Sequence, residues 1–385
     1  MTQNNKINLV IGATSLVQPL TGIGQYTLNL AQELSLNSNL NIDYFNGYKW
    51  TKNPNIRVLP NSGKFKALIR NFVPNAYEFR RYGQQKTFDL KMKKIKADIY
   101  HEPNFLPLKF NGPTVITVHD LSYIKHAEAP PLERIRVMGK LLPLAIEQSN
   151  CIIADSYFTK SEILSEFKID SNKVHVTHLG KSFDFHHRTQ IDSQEILQKY
   201  NLTYGNFILA VGTLEPRKNL TQVISAYRLL PSEVAKRFPL VLVGVRGWKE
   251  KGILSELELL LKEKKAYLLG YIPANDLPFL YSGARAFVFP SLYEGFGLPP
   301  LEAMACGTPV ITSNTSSIPE VVGEAGLMVS IGDVDAMKRH LEMICEDSAM
   351  HTKLSIAGLK QSEKFSWAEC ANQTINAYQY ALSGK

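Results

Sequence analysis

The sequence predicts an α/β protein of two open parallel-sheet, Rossmann-like domains facing each other across a cleft. Three observations carry this. Short apolar runs alternate with amphipathic stretches along most of the chain, the pattern of βαβ units. That series lapses over residues 184–204 and then starts afresh. The length, 385 residues, also exceeds what one ordinary core accommodates.

In the first series the strand candidates are Ile7–Ile11, Asn41–Phe45, Asp98–His101, Val115–His119, Cys151–Ala154 and Val174–His178. Helices are expected at Gly24–Leu36, Leu132–Gln148 and Tyr157–Phe167. These make residues 1–183 an N-terminal domain, with a linker over 184–204. The second series has strands at Phe207–Val211, Leu240–Val243, Tyr267–Leu269, Ala286–Phe289, Val310–Thr312 and Leu327–Val329. Its helices fit Asn219–Leu230, Glu250–Lys262, Asn275–Tyr281 and Leu298–Ala305, giving a C-terminal domain over 205–364. A last helix, Trp367–Leu382 within 365–385, is expected to return to the N-terminal domain. Two such domains place a ligand cleft at the C-terminal ends of their strands.

The composition, 44% hydrophobic and 20% charged, is that of a soluble globular chain. No apolar run reaches the ~18 residues that span a bilayer. The first twelve residues carry one Lys and lack the apolar stretch and cleavage site of a signal peptide, so a cytoplasmic location is expected. Cys151, Cys306, Cys345 and Cys370 form no CxxC pair, which fits reduced thiols rather than a zinc site.

The charge is lopsided. Residues 1–183 hold 23 Lys and Arg against 14 Asp and Glu, and the remainder 20 against 21. Ten of the cations fall between Lys64 and Lys96, opposed only by Glu78 and Asp89. The implied partner is anionic and meets the first half. Within that stretch, Lys64–Val73 puts Phe65, Leu68, Ile69, Phe72 and Val73 on one helical face, with Lys64, Lys66 and Arg70 off it. Such a helix either lies on an anionic membrane surface or packs its apolar face on the domain core. Nucleic acid is not expected as a partner, since no helix-turn-helix, RRM or zinc motif accompanies this local stripe.

The most informative stretch is SLYEGFGLPPLEAMACGTPVIT, Ser291 to Thr312. It leaves the strand Ala286–Phe289 at the sheet edge where ligands of such folds bind. Gly295 and Gly297 let backbone N–H groups approach a ligand, and Pro299 and Pro300 suit a helix start. That helix N-terminus presents donors and about half a positive charge, suited to phosphate. Glu294 and Glu302 bracket the loop, Glu302 being placed in the first helical turn and Gly307 at the far end as a cap. A carboxylate accepts two adjacent hydrogen bonds, so each matches a pair of vicinal hydroxyls. Two diols flanking a diphosphate describe a nucleotide sugar. The same residues also fit a plainer reading, in which Ser291-Leu-Tyr-Glu294 is a capping box.

Companion segments occupy equivalent edges. Val211-Gly212-Thr213-Leu-Glu-Pro-Arg217-Lys218-Asn219 follows the first strand of the second half and sets two cations at the cleft. Gly22-Ile23-Gly24 lies between the first strand and helix of the chain. It imitates a dinucleotide fingerprint, but Thr27 stands where a third Gly belongs and no acid ends the second strand, which excludes a dehydrogenase. His101-Glu102-Pro103 and His119-Asp120 end two further strands.

Together these residues resemble the retaining glycosyltransferases of family 4, with the GT-B fold, and the resemblance covers nearly the whole chain. Its most specific part is the E-x7-E pair Glu294 and Glu302, continued through Gly307-Thr-Pro-Val-Ile to Pro319-Glu320-Val. GTLEPRKNL and VHDLSY resemble the bacterial mannosyltransferase branch. The resemblance implies that Glu294 holds the donor sugar's hydroxyls and Glu302 the ribose diol. It assigns the diphosphate to Arg217 and Lys218, assisted by the backbone of Gly295, Phe296, Gly297 and Leu298. His119 is expected beside the transferred sugar, Gly22 and Gly24 along the donor phosphate and acceptor side, and Tyr271 and Ile272 around the base. Many members carry a Gly-Arg pair where this chain has Gly212-Thr213, so one phosphate-binding Arg is missing.

The implied reaction is retaining hexosyl transfer, foremost of mannose from GDP-mannose, with no cofactor, and no divalent metal is expected because the cleft-edge segments carry no DxD-like site. The acceptor would be a glycan or lipid-linked sugar in surface polysaccharide or lipopolysaccharide assembly, at the inner face of the cytoplasmic membrane. Two alternatives stand beside it: a UDP-sugar-dependent glucosyl, galactosyl or N-acetylhexosaminyl transferase of the same fold, and a non-catalytic two-lobed sugar-binding protein.

Overall fold

The computed structural model describes residues 6–16, 22–54, 76–125, 132–247 and 251–384, with the side chains of 76–78 and 132–134 left aside. The expected helix at Lys64–Val73 therefore lies outside the described residues.

Among the described residues the chain forms two sheets. The first is built from β1 (Ile7–Gly12), β2 (Leu40–Phe45), β3 (Trp50–Thr51), β4 (Ile99–Glu102), β5 (Thr114–Val118), β6 (Cys151–Ala154) and β7 (Val174–Val176), ordered β3-β2-β1-β4-β5-β6-β7. The second contains β8 (Ile208–Val211), β9 (Leu240–Val243), β10 (Ala266–Gly270), β11 (Ala286–Phe289), β12 (Val310–Ser313) and β13 (Leu327–Val329), ordered β10-β9-β8-β11-β12-β13. All pairings are parallel except β2 with β3. Strands covered by helices on both faces read as unbroken apolar runs, which is why the sequence marked them. Both sheets are doubly wound, and chain order reverses between β1 and β4 and between β8 and β11. At such a switch point the loops leaving neighbouring strands diverge and open a crevice.

Besides the short helices Ser122–Lys125, Ser232–Arg237 and Ile318–Val322, three described elements were not in the sequence reading. The strand β3 is a two-residue edge whose Trp50 ring packs on Phe45 and Phe88, at centroid distances of 4.8 and 5.6 Å. Helix Ala76–Met92 precedes β4 and buries Gln84 and Phe88. The stretch expected as a linker, 184–204, contains helix Gln190–Lys199, begun by a capping box between Thr189 and Asp192. This helix packs on Leu277–Gly283 of the second domain. Its apolar period is faint because it buries only Ser193 and Leu197.

The closing helix, Trp367–Leu382, packs on helix Gly22–Ser35 and on β5 and β6 of the first domain. A backbone bridge between Lys181 and Ser366 marks where the chain crosses. Tyr378 seals the joint through a 2.7 Å hydrogen bond to His101 Nδ1, whose Nε2 meets Thr117 Oγ1 at 2.8 Å.

Candidate active site

The second switch point brings two loops together. After β8, Gly212 leads into a 3-10 turn, Pro216–Lys218, and Asn219 enters the left-handed region (φ 50°) before helix Leu220–Arg228. After β11, residues 290–297 run to helix Leu298–Ala305. The loops are stitched together where Leu292 N–H and Ser291 Oγ donate to the Arg217 carbonyl, at 2.8 and 3.2 Å. A small cavity beside them is lined by Gly212, Leu214, Lys218, Val288, Phe289 and Pro290.

Glu294 is the electrostatic centre. Its Oε1 receives Lys218 Nζ at 2.5 Å and Ser291 Oγ at 2.6 Å, and Arg217 Nη1 lies 3.2 Å from its Oε2. Burial pushes this carboxyl up, but Lys218 and Arg217 outweigh burial and hold it at about 2. Lys218 also lies over the Phe289 ring, 4.9 Å from its centroid. Arg217 is tied on every side: Nε and Nη2 reach Glu215 Oε1 at 3.1 and 2.9 Å, and Nη1 donates to the Tyr293 carbonyl at 2.6 Å. Glu215, 3% exposed, thus orients Arg217.

Glu302 has the opposite environment. Its Oε2 accepts the Tyr281 hydroxyl at 3.1 Å, and burial pushes the carboxyl up to about 8. Two carboxylates driven in opposite directions within one motif is a pattern of functional sites. The capping-box reading is not what forms: Ser291 bonds the Glu294 side chain, and the helix starts at Leu298 with Gly297 as N-cap. Glu302 therefore sits one residue past the first turn, not within it. Gly297 needs its φ of +127°, and since Pro299 and Pro300 carry no N–H, Gly297 and Leu298 supply the donors at this helix start.

The His119 ring is held within the first domain. Its Nδ1 is 2.7 Å from Asp155 Oδ2 and its Nε2 is 2.8 Å from the Pro103 carbonyl. Both partners belong to the first domain, so neither ring nitrogen is left to touch a sugar or take a proton. Burial works against the charged ring, but Asp155 outweighs it and raises the His119 pKa. What His119 offers the cleft is its carbonyl: a Cβ on Gly295 would lie 1.9 Å from that oxygen, so only glycine permits this approach.

The structure thus gathers Glu294, Arg217, Lys218, Gly212, Thr213, Gly295, Gly297 and Leu298 at one edge. Gly22 and Gly24 open helix Gly22–Ser35 at the C-terminal end of β1. Tyr271 is 63% exposed beyond β10, whereas Ile272 and Phe296 are core residues whose side chains are spent on packing. Sequence reasoning missed Asp155, Glu215 and Tyr281. The only signal for the first two was an acid at a strand end and beside the cation pair. Among the described residues, no cluster of His, Cys, Asp and Glu could hold a metal ion.

Comparisons with known proteins bear on the family and the fold. Residues 192–361 match the model of glycosyl transferases group 1, and residues 20–181 that of glycosyltransferase family 4. O-antigen chain mannosyltransferase B of Escherichia coli is 37% identical over 381 residues, covering 97% of this chain and 100% of that protein. Serotype-specific mannosyltransferase WbdA, also of Escherichia coli, is 36% identical over 282 residues. That match takes in 70% of this chain but only 34% of the longer protein. Sucrose-phosphate synthase from Thermosynechococcus elongatus has a like fold, with a TM-score of 0.77 at 21% identity, covering 99% of this chain and 100% of that one.

Proposed function

We infer the reaction from one premise: the chain belongs to glycosyltransferase family 4 and has the GT-B fold. The non-catalytic sugar-binding alternative falls with that membership. The enzyme transfers mannose from GDP-mannose, with retention, to a glycan or lipid-linked acceptor in O-antigen-type polysaccharide assembly. The observation that carries this is the buried Lys218–Glu294 pair at the second switch point. The named activity of the relatives supports mannose as the sugar.

The donor diphosphate exchanges with Glu294 for Lys218, and the freed Glu294 carboxylate accepts the sugar's hydroxyls. Glu302, once ionised, accepts the ribose diol. As the bond to the anomeric carbon breaks, negative charge grows on the diphosphate, where Lys218 and the N–H groups of Gly297 and Leu298 stabilise it. The diphosphate takes the acceptor's proton on the face it leaves, which gives retention. His119 serves through its fixed carbonyl rather than its ring. These fixed charges perform the role of a divalent ion, so the reaction runs without metal.

A thermal-shift panel tests the donor: GDP-mannose, UDP-glucose, UDP-N-acetylglucosamine and the free diphosphates, each with and without EDTA. Stabilisation by GDP-mannose and GDP alone, unchanged by EDTA, is expected. A shift with UDP compounds alone would reassign the donor to the UDP-hexose class, and loss of turnover in EDTA would overturn metal independence. Product anomeric configuration, read by NMR coupling, tests retention.

The enzyme acts in the cytoplasm, docked on an anionic membrane surface through its basic first half. Among the described residues, helix Ala76–Met92 turns Phe79, Tyr82 and Leu90 outward with Lys86, and Lys93 follows on the same stripe. No described helix is long and apolar enough to cross a membrane. Co-sedimentation with vesicles should rise with anionic lipid, and indifference to lipid charge would remove this docking.

A further inference from the structure

We propose that Glu320 is a positioning residue that latches the donor loop onto the first domain and so sets how often the cleft adopts its closed, reactive arrangement. This rests on the glycosyl-transfer reading above. Glu320 lies on the short helix Ile318–Val322 of the second domain, and its carboxylate reaches across the cleft. Its Oε2 accepts the Tyr157 N–H at 2.8 Å and its Oε1 the Phe158 N–H at 2.6 Å. These are first-turn donors of helix Tyr157–Phe167 in the first domain, which no intrahelical carbonyl can satisfy. A carboxylate also complements the positive end of the helix dipole. His178 Nε2, again of the first domain, stands 3.3 Å from Oε2. Burial pushes the Glu320 carboxyl up, but His178 and the two amides outweigh it, so it stays ionised.

The segment that carries Glu320 also holds the donor loop. Ser316 Oγ accepts the Glu294 N–H at 3.1 Å, and Ser317 Oγ bonds the carbonyls of Glu294 and Phe296 at 2.9 and 2.7 Å. Between those two carbonyls, the Gly295 carbonyl takes Ser156 Oγ at 2.8 Å and Thr159 Oγ1 at 3.2 Å, from the same first-domain helix start. One continuous polar path therefore runs from the backbone of Glu294 through Ser317 and Glu320 to helix Tyr157–Phe167. Glu320 makes no bond to Lys218, Arg217 or the Glu294 carboxylate, so it acts through the loop. The same seam also carries Tyr293, whose hydroxyl bonds Glu162 and the Leu121 N–H and whose ring packs on Phe158 at 5.8 Å, so the Glu320 bonds are the charged part of a mixed seam whose polar contacts water can replace when the domains part. Closure costs the donor loop its freedom and places Gly295 against the His119 carbonyl. Loss of the Glu320 bonds shifts that balance toward the open form.

Two substitutions cut the latch from opposite sides. Glu320→Gln keeps the shape and removes the charge. Tyr157→Pro deletes one donor from the first domain without touching the second. Proline is tolerated here because Tyr157 is the first helical residue and Ser156 before it is extended (φ −151°, ψ 161°). Tyr157→Ala, which loses the ring but keeps the N–H, is the control. The four native cysteines are buried, so spin labels can be placed at Lys94→Cys and Glu346→Cys, exposed positions on the two domains. Double electron–electron resonance on the unliganded protein should show a longer interdomain distance in Glu320→Gln and Tyr157→Pro, but not in Tyr157→Ala. With donor and acceptor, kcat should fall about tenfold or more in the first two, while GDP affinity changes less than threefold. Unchanged distances, kcat within threefold of wild type, or a parallel loss of GDP affinity would each overturn the latch. The distance measurement needs no substrate, so it decides the latch even if the donor proves not to be GDP-mannose.

Discussion

Replacing Lys218 by alanine isolates the charge that the second switch point supplies. Glu294 titrates at about 2 despite burial, against an ordinary 4.5. At ~1.4 kcal/mol per pK unit, Lys218 and Arg217, helped by the Ser291 hydroxyl, favour one negative charge at that spot by about 3 kcal/mol beyond its desolvation. Lys218 is the nearer cation, 2.5 against 3.2 Å, and its ammonium has the Phe289 ring as its other neighbour. Arg217 is held by Glu215 and the Tyr293 carbonyl. Lys218 should therefore provide most of the stabilisation felt by a diphosphate gaining charge as it leaves. Its loss is expected to cost ~10²–10³-fold in kcat, the range for removing one preorganised donor from a developing anion. The assay is initial-rate mannosyl transfer at saturating GDP-mannose, with circular dichroism to show that the variant is folded. A folded Lys218→Ala enzyme within threefold of wild-type kcat would refute the reasoning, since the cation would then face Glu294 alone.

Other outcomes follow from particular residues. Glu302, pushed up to about 8, is largely protonated at pH 7, whereas a ribose diol donates to its ionised form. Donor binding should thus release a proton and tighten from pH 6.5 to 8, as calorimetry in buffers of different ionisation enthalpy will show, and Glu302→Gln should abolish the release. Gly295→Ala places a Cβ 1.9 Å from the His119 carbonyl, so turnover should drop ~100-fold or more while GDP binding, measured by thermal shift, persists. His101 is buried and its pKa lowered to about 3, below the unfolded value near 6.5. Between these values the unfolded chain binds the proton the folded chain refuses, so acid destabilises. His101 should cost about 2 kcal/mol of unfolding free energy between pH 7 and 5, measured by urea titration. His101→Gln should remove that increment from the pH dependence.

Much of the fold was legible because buried parallel strands announce themselves. Cys151–Ala154, Leu240–Val243, Ala286–Phe289 and Leu327–Val329 form over the residues their apolar runs indicated. The strand β3 was illegible at two residues, and helix Gln190–Lys199 hid behind a polar surface. In the site, spacing along the chain marked Glu294, Glu302 and Lys218 as candidates beside strand ends and a helix start, while their expected roles came from the resemblance. Proximity created by folding was not readable: Asp155 reaches His119 from a neighbouring strand, and Tyr281 reaches Glu302 from another helix. Nor could a residue type at a strand's end reveal which way its ring turns. His119 points inward because Asp155 and the Pro103 carbonyl satisfy both nitrogens there, which the cleft would not.

The unliganded site is electrostatically self-satisfied, and that shapes how it can select a donor. Lys218 and Arg217 face Glu294 and Glu215, so no net cation awaits an incoming phosphate. A free diphosphate that displaces Glu294 from Lys218 leaves a carboxylate uncompensated except by Arg217, an expensive state in a half-buried loop. A donor carrying a hexose brings hydroxyls to that same carboxylate and so restores its hydrogen bonds. The proposed exchange would therefore favour an intact nucleotide sugar over the nucleotide alone and would tie recognition of the sugar to capture of the diphosphate. The absent Arg at Thr213 belongs to this logic. With Arg217 already committed to Glu215 and the Tyr293 carbonyl, the proposed reaction leaves the phosphate-facing charge to Lys218 and the start of helix Leu298–Ala305.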